Sequence, residues 1–553
     1  MSNSTNSHRT TATQPRSAHL DSAHVGDIKG AFGSIKLNDP QQSRGFKVRM
    51  LTMLAILGPG LIVMVGDNDA GGVATYAQAG QNYGYSLMWV LLLLIPVLIV
   101  NQEMVVRLGA VTGVGHARLI NERFGRGWGW FSVGDLFILN FLTLVTEFIG
   151  ISLVAQFFGI SQYIVVPTAA VALTVIIASG SFRRWERAMF VFIAISLVQI
   201  PMVLMSHPHW GHAMKSLVVP GIRGGVNSDA VLLIIALVGT TVAPWQLFFQ
   251  QSNIIDKRIT PRFIGYERAD TTIGAFVVVI GAAFLIMTAD FAARTTGTEN
   301  GWGNSSDAGD IAHLLHQHSA LLGNIFAIVL LDASIVGAAA VTLSTSYAFG
   351  DVFNMKHSLH RSFKDAKKFY VSYAAMVAAA AAIVLIPGAP LGLITTSVQA
   401  LAGLLLPSAS VFLLLLCNDR QVLGPWVNKR WLNVIAVFIV SVLLLLSAIL
   451  MCTTLFPSWD VVHLSIWLAV GLGLAAVVAI VGLRIVEARR PTAYSPDQTD
   501  WSAVDKDQWR MPPLALLEPV KWSSGTKLGM LALRGYLVVG AVLLVVKAVQ
   551  LSH

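Results

Sequence analysis

The chain has 553 residues, of which 55% are hydrophobic and 12% are charged, and its mean hydropathy is +0.66. Because a soluble domain carries about one quarter charged residues, this composition excludes an ordinary soluble protein and indicates a polytopic membrane protein. The net charge of +9 does not indicate nucleic-acid binding, since the Lys and Arg residues lie between apolar stretches and form no single basic patch. Cys417 and Cys452 lie in apolar runs without metal-ligand spacing, which excludes a disulfide framework.

The first segment of the chain is polar. Residues 1–45 are rich in Ser, Thr, His and Asn and contain no apolar core, so they do not resemble a secretory signal. This composition predicts a disordered cytosolic tail over residues 1–45.

Apolar windows of about 18 residues or more, long enough to cross a bilayer, then follow one another along the chain. They predict twelve transmembrane helices: 51–80, 85–106, 128–157, 163–180, 187–205, 229–255, 270–293, 320–350, 370–387, 391–417, 432–453 and 464–485. A thirteenth candidate at 529–549 contains Arg534 and Lys547 and is equally compatible with a helix at the membrane interface.

The loops after the even-numbered windows carry most of the Lys and Arg residues, and the loops on the other side carry few. Because cytoplasmic loops are enriched in Lys and Arg, this pattern predicts a multi-pass protein of the cell membrane with a cytoplasmic N-terminus. Residues 50–206 and 229–417 then form two halves of five helices with opposite orientation, as in an inverted repeat. Helices over 432–485 lie outside the repeat, and residues 486–527 form a polar cytosolic connector.

The first window of each half contains a helix-breaking stretch. In the first half, Asp67, Asn68 and Asp69 lie between Gly66 and the pair Gly71 and Gly72. A charged residue within the membrane costs at least about 2.5–3.5 kcal/mol and usually faces a partner, a cavity or an ion path. Glycines favour an unwound segment, whose carbonyl groups can join a carboxylate in binding a cation.

In the second half, the corresponding stretch runs from Gly239 to Gln246 and contains Pro244, which removes a backbone donor. Two broken helices in corresponding positions indicate a binding site at the middle of the membrane. The sequence therefore predicts a cation site where the two breaks meet.

Several motifs resemble the NRAMP family of divalent-metal transporters over roughly residues 50–430. They are Gly58-Pro59-Gly60, the run from Asp69 to Thr75, Glu147-Phe148-Ile149-Gly150, and Gln399 eight residues before Pro407. The resemblance implies an all-α membrane protein with a LeuT-like five-plus-five inverted repeat and broken helices 1 and 6. It also implies a carrier that is not an enzyme and needs no cofactor.

The chain departs from the family pattern at the residues that would bind metal. Gly72 replaces the family's asparagine, Ala243 and Trp245 replace its methionine and histidine, and Leu144 replaces an aspartate. These departures resemble the NRAMP-related magnesium transporters. Loss of the thioether also removes the soft ligand that favours later transition metals, whereas Mg²⁺ prefers oxygen and gives up its water reluctantly.

We therefore hypothesise uptake of partly hydrated Mg²⁺. The predicted contacts are Asp69, Gly66, Gly72, Thr240, Ala243 and Gln399, with Asp67 and Asn68 lining a vestibule. Proton coupling is not expected, because Trp245 and Leu144 cannot titrate, although Glu147 could in principle carry a proton. The alternatives are a proton-coupled Mn²⁺ or Fe²⁺ importer and, in another class, an organic-substrate symporter on the same scaffold.

Some of these residues also suit a structural role that does not involve metal binding. Asp69 is also suited to capping the second half-helix, and Gln399 to a bond between helices. The isolated acids Glu147, Asp290 and Asp332 receive no assigned role. The expected partners are a divalent metal ion and the lipid bilayer, without nucleic acid; the oligomeric state is left open, and a monomer is compatible with the sequence.

Overall fold

The computed structural model describes residues 22–36, 45–295, 308–387, 391–456, 458–474 and 504–518, together with 520, 527, 529–536, 538–540 and 542. Within these residues the chain is almost entirely helical. The exception is a two-stranded antiparallel hairpin, β1 (Ile28–Lys29) and β2 (Ser34–Ile35), near the N-terminus.

The first half of the bundle consists of α1 (Phe46–Ile56), α2 (Pro59–Val65), α3 (Ala70–Tyr83), α4 (Met88–Thr112), α5 (His116–Phe124), α6 (Arg126–Phe157), α7 (Gln162–Ala178), α8 (Phe182–Ser196) and α9 (Gln199–Met205). A short surface helix, α10 (Trp210–Val218), leads to the second half.

The second half consists of α11 (Ser228–Thr241), α12 (Pro244–Asp256), α13 (Ile264–Thr295), α14 (Ala308–His318), α15 (Ala320–Val352), α16 (Lys367–Val384) and α17 (Leu391–Cys417). The short α18 (Arg420–Leu423) and the long α19 (Arg430–Leu455) follow. Three helices that the sequence analysis assigned to loops, α5, α10 and α14, are too short and too polar on one face to register as spans.

Nine helices in the described part of the chain are long and apolar enough to cross a membrane, and the bent pair of α1 and α2 raises the number to ten. The predicted all-α class is confirmed. The window 464–485 begins as a helix over Val461–Leu474, and the remainder of that window lies outside the described residues. The same holds for most of the connector 486–527 and for the end of the window 529–549, where a helix spans Gly529–Gly540.

Both predicted breaks are present. The first transmembrane segment is interrupted between α2 and α3, where Gly66 to Asp69 leave the helix, and the sixth between α11 and α12, where Val242 and Ala243 are non-helical. Gly71 and Gly72 lie in the first turn of α3 and not in the unwound stretch, so Gly66 is the glycine at the interruption. A further bend of 51° separates α1 from α2.

The two halves of the chain interleave in the core. α13 packs along α2 and α3, α15 along α6, α11 along α17, and α12 along α4. Small residues permit the closest approaches: a Cβ on Gly60 would lie 2.7 Å from the backbone nitrogen of Thr271, and one on Gly80 would lie 2.2 Å from the carbonyl oxygen of Ile286. The broken helices α2 and α3 are therefore held tightly against an unbroken one.

The N-terminal segment, residues 22–36, corrects one prediction. The disorder expected for residues 1–45 does not apply to it, because its hairpin packs on the end of the bundle and buries Ile28 and Ala31. Its backbone carbonyls accept hydrogen bonds from Arg187 at Ala31 and from Arg258 at Ala23, at 3.1 and 2.9 Å. The polar composition of this segment predicted disorder because composition carries no information about hydrogen-bond donors that lie far away along the chain.

Beneath the N-terminal segment, a buried ion pair fixes the bend between α1 and α2. Lys257 and Glu186 are 0% exposed, and Lys257 Nζ lies 2.6 Å from Glu186 Oε1. The same ammonium group donates to the carbonyl oxygens of Ile56 and Leu57 at 2.6 and 2.8 Å. On the other side of the bend, the Asp270 carboxylate accepts from the backbone nitrogens of Gly58 and Gly60 at 3.1 and 2.8 Å.

Replacing Lys257 by Met should destabilise the protein strongly, because removing one partner of a buried ion pair leaves a buried charge and costs about 3–5 kcal/mol. The matched control is Arg268→Met. Arg268 also pairs with a carboxylate, Glu103, at 2.6 Å, but it is 43% exposed, and such pairs contribute about 0–1 kcal/mol. Thermal unfolding followed by tryptophan fluorescence in detergent measures both variants, and equal losses would contradict the assignment.

Candidate functional site

The two helix breaks meet inside the bundle. The Tyr76 hydroxyl of α3 and the Thr241 hydroxyl at the end of α11 form a hydrogen bond of 2.7 Å. The side-chain amide of Gln246, in the first turn of α12, donates to the carboxylate of Asp67. The predicted meeting of the half-sites is therefore seen in direct contacts between them.

Asp69 caps the N-terminus of α3. Its backbone is extended, and its Oδ1 accepts a hydrogen bond of 2.7 Å from the backbone nitrogen of Gly72. The carboxylate is favoured there by the unpaired N–H groups and by the positive end of the helix dipole. Asp69 is only 3% exposed, so this charge is held in the protein interior, where the helix end alone provides little compensation.

A second carboxyl group stands beside it. Glu147 of α6 is 0% exposed, its Oε2 accepts from the backbone nitrogen of Ala70 at 3.0 Å, and its Oε1 has no partner among the described residues. A Cβ on Gly337 of α15 would lie 2.7 Å from both Glu147 Oε2 and Asp69 Cβ. The glycine thus lets α15 close over the two carboxyl groups, which repel each other unless a cation or a proton lies between them.

Gln399 and Thr240 complete the surroundings of Asp69. A Cβ on Gly71 would lie 1.7 Å from Gln399 Nε2 and 3.3 Å from Asp69 Oδ1, and one on Gly72 would lie 3.3 Å from Thr240 Oγ1. Gln399 Nε2 and Thr240 Oγ1 are buried without a partner among the described residues. Turning the Gln399 amide over presents its oxygen at the same place, so both side chains can offer an oxygen atom to a cation next to Asp69.

The other predicted residues lie apart from the group around Asp69. Gly66 faces the ring of Trp245, 3.4 Å from its would-be Cβ, and Ala243 is the 6% exposed residue that precedes α12 in the second break. Asp67 and Asn68 do not line an open vestibule, since they are 0% and 7% exposed. Asp67 is directed to Gln246, and the Nδ2 of Asn68 donates to the carbonyl of Val278 in α13 at 3.2 Å, away from Asp69.

Sequence reasoning missed the polar face of α12. All thirteen residues of this helix are buried, and Gln246 also accepts from Gln102 of α4 at 3.0 Å, which links Asp67 to a third helix. The available signal was the recurrence of Gln246, Gln250 and Asn253 at helical spacing within a predicted span. Glu147 was recognised as an intramembrane acid, but its partner lay 78 positions away along the chain and had no local signature.

The ligand chemistry of the central site is that of oxygen. Within the described part of the chain, no group of three His, Cys, Asp or Glu side chains is placed to hold a metal ion. The candidate ligands are instead carboxylate, amide and hydroxyl oxygens on separate helices, together with carbonyl groups freed at the breaks. Oxygen ligands of this kind suit hard cations such as Mg²⁺, Ca²⁺ and Mn²⁺.

Interrupted helices that meet around a buried carboxylate define a secondary transporter of cations. The family profile described as "Natural resistance-associated macrophage protein-like" matches residues 60–453, and the chain belongs to this Nramp family. Nramp proteins are divalent metal transporters, and the chain is accordingly a multi-pass integral membrane protein of that class.

Individual relatives of the chain are named as divalent metal cation transporters or as a manganese transporter. The chain is 26% identical over 478 residues to the divalent metal cation transporter MntH of Bacillus subtilis, covering 80% of this chain and 98% of the relative. It is 25% identical over 427 residues to that of Levilactobacillus brevis, covering 73% and 90%. The crystal structure of the Eremococcus coleocola manganese transporter in complex with an aromatic bis-isothiourea substituted compound superposes with a TM-score of 0.59 at 21% identity. It covers 81% of this chain and 98% of that one, which supports the LeuT-like fold.

Gly71→Ala should displace the Gln399 amide from the site and weaken divalent-metal binding by about tenfold or more, the expected size for the loss of one contact with a charged group. Isothermal titration of the purified variant with Mg²⁺ and with Mn²⁺ measures the change. Gly134→Ala is the matched control, because a Cβ on this glycine of α6 meets nothing within 4 Å. Wild-type affinity in Gly71→Ala would contradict the placement of Gln399.

Proposed function

We propose that this protein carries Mg²⁺ across the membrane, with the ion held at the junction of the two broken helices. The observation that carries the proposal is the position of Asp69. Its carboxylate lies where oxygen-bearing side chains of α6, α11 and α17 converge, in a site that contains two carboxyl groups for a divalent charge.

The preference for Mg²⁺ rests on the residues that replace the family's metal ligands. Ala243 and Gly72 offer neither sulfur nor a side-chain amide, so only oxygen atoms remain to bind the ion. Both residues are also small, so neither places a long side chain in the way of an ion that keeps part of its hydration shell, as Mg²⁺ does. Asp67, two residues before Asp69, accepts from Gln246, and its Oδ2 has no hydrogen-bond partner among the described residues, which suits it to hydrogen bonding with such retained water.

Mn²⁺ is the second candidate substrate. The superposed structure from Eremococcus coleocola is that of a manganese transporter, and Mn²⁺ also accepts carboxylate and carbonyl ligands. The two candidates differ in their response to a sulfur ligand, because a thioether stabilises the softer transition metal and does not stabilise Mg²⁺.

An organic-substrate symporter is disfavoured by the same geometry. In such carriers a half-helix N-terminus receives the carboxylate of the substrate. Here the N-terminus of α3 is already occupied by the side chain of Asp69, and Glu147 accepts from the adjacent Ala70 nitrogen. An anionic group would meet two carboxyl groups at this position.

Proteoliposomes containing a Mg²⁺-sensitive dye test the substrate. Asp69→Asn should reduce Mg²⁺ affinity by about tenfold or more through loss of a charged ligand, whereas Asp229→Asn, an exposed acid at the start of α11, should transport normally. Ala243→Met should shift competition towards Mn²⁺ or block transport by filling the site, and Ala379→Met on the exposed face of α16 is its size-matched control. Transport of Mn²⁺ without Mg²⁺ by the wild-type protein would refute the Mg²⁺ preference.

We further propose that uptake is driven by membrane potential without a coupled proton. Trp245 occupies the histidine position of the family and packs against Phe249, with ring centroids 6.0 Å apart. Inward movement of a divalent ion gains about 4.6 kcal/mol per 100 mV, twice the value for one charge. The contrary observation is Glu147, which stands beside Asp69 and could release a proton when metal binds.

Vesicles loaded with a pH-sensitive dye separate these two modes. During Mg²⁺ uptake at a fixed negative potential, the lumenal pH should remain constant, and Glu147→Gln should alter uptake without altering the pH trace. Metal-dependent acidification of the lumen that disappears in Glu147→Gln would instead establish proton coupling through this carboxyl group. A protonophore control shows that the dye responds under the same conditions.

A further inference from the structure

A cavity lies outside the central site. It has a volume of about 160 Å³ and is lined by α2, α9, α13 and α15 next to the first helix break. Most of its lining is apolar, but four polar side chains also line it: Asn68, Ser196, Gln199 and Asp332. The Ser196 hydroxyl donates to the carbonyl of Ile193 in its own helix at 2.8 Å, which leaves the other three for a bound group. A cavity needs only about 10–15 Å³ of such space to hold one water molecule, so this one has room for an ion and its water.

Each of the three side chains presents an oxygen atom that has no hydrogen-bond partner among the described residues. These atoms are Asn68 Oδ1, Gln199 Oε1 and Asp332 Oδ1, on residues that are 7%, 7% and 5% exposed. The amide nitrogen of Asn68 is already engaged with the carbonyl of Val278 at 3.2 Å, which leaves its oxygen as the free end. Three buried acceptors around one cavity thus have no hydrogen-bond partner among the described residues, although buried polar atoms in folded proteins normally have one.

Gly281 of α13 allows two of these side chains to come together. A Cβ at this position would lie 2.6 Å from Asn68 Nδ2 and 3.2 Å from Gln199 Oε1. Gln199 begins α9 directly after Leu197 and Val198, whose backbone keeps right-handed helical angles, so α8 and α9 form one span over Phe182–Met205. The convergence of an amide from α9 with the amide of the first break therefore depends on the glycine.

The surroundings exclude bulk water as the missing partner. The rim of the cavity contains Leu197 and Ile280, which are 57% and 49% exposed on the side of the bundle. These apolar side chains face the hydrocarbon of the membrane, which cannot satisfy the buried oxygen atoms. Trapped water can hydrogen-bond to the two amides, but it does not neutralise the carboxylate of Asp332.

We propose that this cavity binds a small monovalent cation of the Na⁺ class. One carboxylate and two amide oxygens form a hard, oxygen-only ligand set with a single negative charge, and that charge is balanced by one monovalent ion. The central site differs in having two carboxyl groups, those of Asp69 and Glu147. The charge of each site thus matches a different class of cation.

Occupancy of this cavity would act on the first helix break. Asn68 is adjacent to Asp69 in the chain, and Val336, which lines the cavity, also lies 3.5 Å from the would-be Cβ of Gly66. A bound cation would link the first helix break, α9 and α15 at this point and stabilise the present arrangement of the break. The inference does not depend on which divalent ion the central site carries.

Thermal unfolding of the full-length protein in detergent and EDTA tests the proposal. NaCl replaces N-methyl-D-glucamine chloride at constant ionic strength, so that only the small cation changes. The wild-type unfolding temperature should rise with Na⁺. In Asp332→Asn the Na⁺ concentration for half of the effect should increase by about tenfold or more, the expected size for a lost charged contact. The exposed Asp229→Asn is the control and should respond as the wild type does.

Absence of a Na⁺ response in the wild-type protein would overturn the proposal, and so would an undiminished response in Asp332→Asn or a response lost in Asp229→Asn. Gln199→Met, which removes an amide oxygen at nearly constant volume, provides a second test should Asp332→Asn not fold. Its half-effect concentration should also rise, and an unchanged value would count against the site. Mg²⁺ titration reports on the central site separately, since Asp332→Asn should retain the wild-type Mg²⁺ affinity and Asp69→Asn should bind Mg²⁺ more weakly.

Discussion

The structure depends on buried carboxylates that accept hydrogen bonds from the free N–H groups at the ends of the broken helices. Asp69 binds the first turn of α3 from its own cap position, Glu147 reaches the same turn from α6, and Asp270 performs the corresponding role for α2 from α13. A helix that ends inside a membrane leaves N–H groups without water, so it can exist only if such acceptors are provided. The same acceptors make the break negatively charged, and this is the property that a cation carrier needs.

The prediction of the fold from sequence was confirmed where a local signal was strong. Apolar windows located the long helices, and Pro244 and Gly66 located the interruptions, because chain-breaking residues act at their own position. The N-terminal segment was predicted wrongly because its hairpin is stabilised by Glu186, Arg187 and Arg258, which are more than 150 positions away. Short helices between spans were missed for a different reason, since burial on one face leaves no long apolar run.

At the site, the sequence indicated which residues lie near the break, but it did not indicate which side chains contact one another. Asp69, Gly72, Thr240 and Gln399 lie close together, and each had either a break or a family motif to mark it, while their role in binding metal stays a prediction. Asn68 was assigned to the same group because of its adjacency to Asp69. At a non-helical position, however, successive side chains diverge, and this one enters the space near Gln199 and Asp332. Adjacency in sequence at an unwound segment therefore predicts proximity of the backbone, not a shared ligand sphere.

The pair formed by Lys257 and Glu186 has a consequence for motion. One ammonium group joins the end of α1, the start of α8 and the end of α12, so three elements of the bundle share a single dry contact. Separating any one of them exposes two charges at once and frees two carbonyl groups, and partial separation gains no water in return. This end of the bundle should consequently behave as a latch with two positions, closed or fully released, and it should separate in one step instead of gradually.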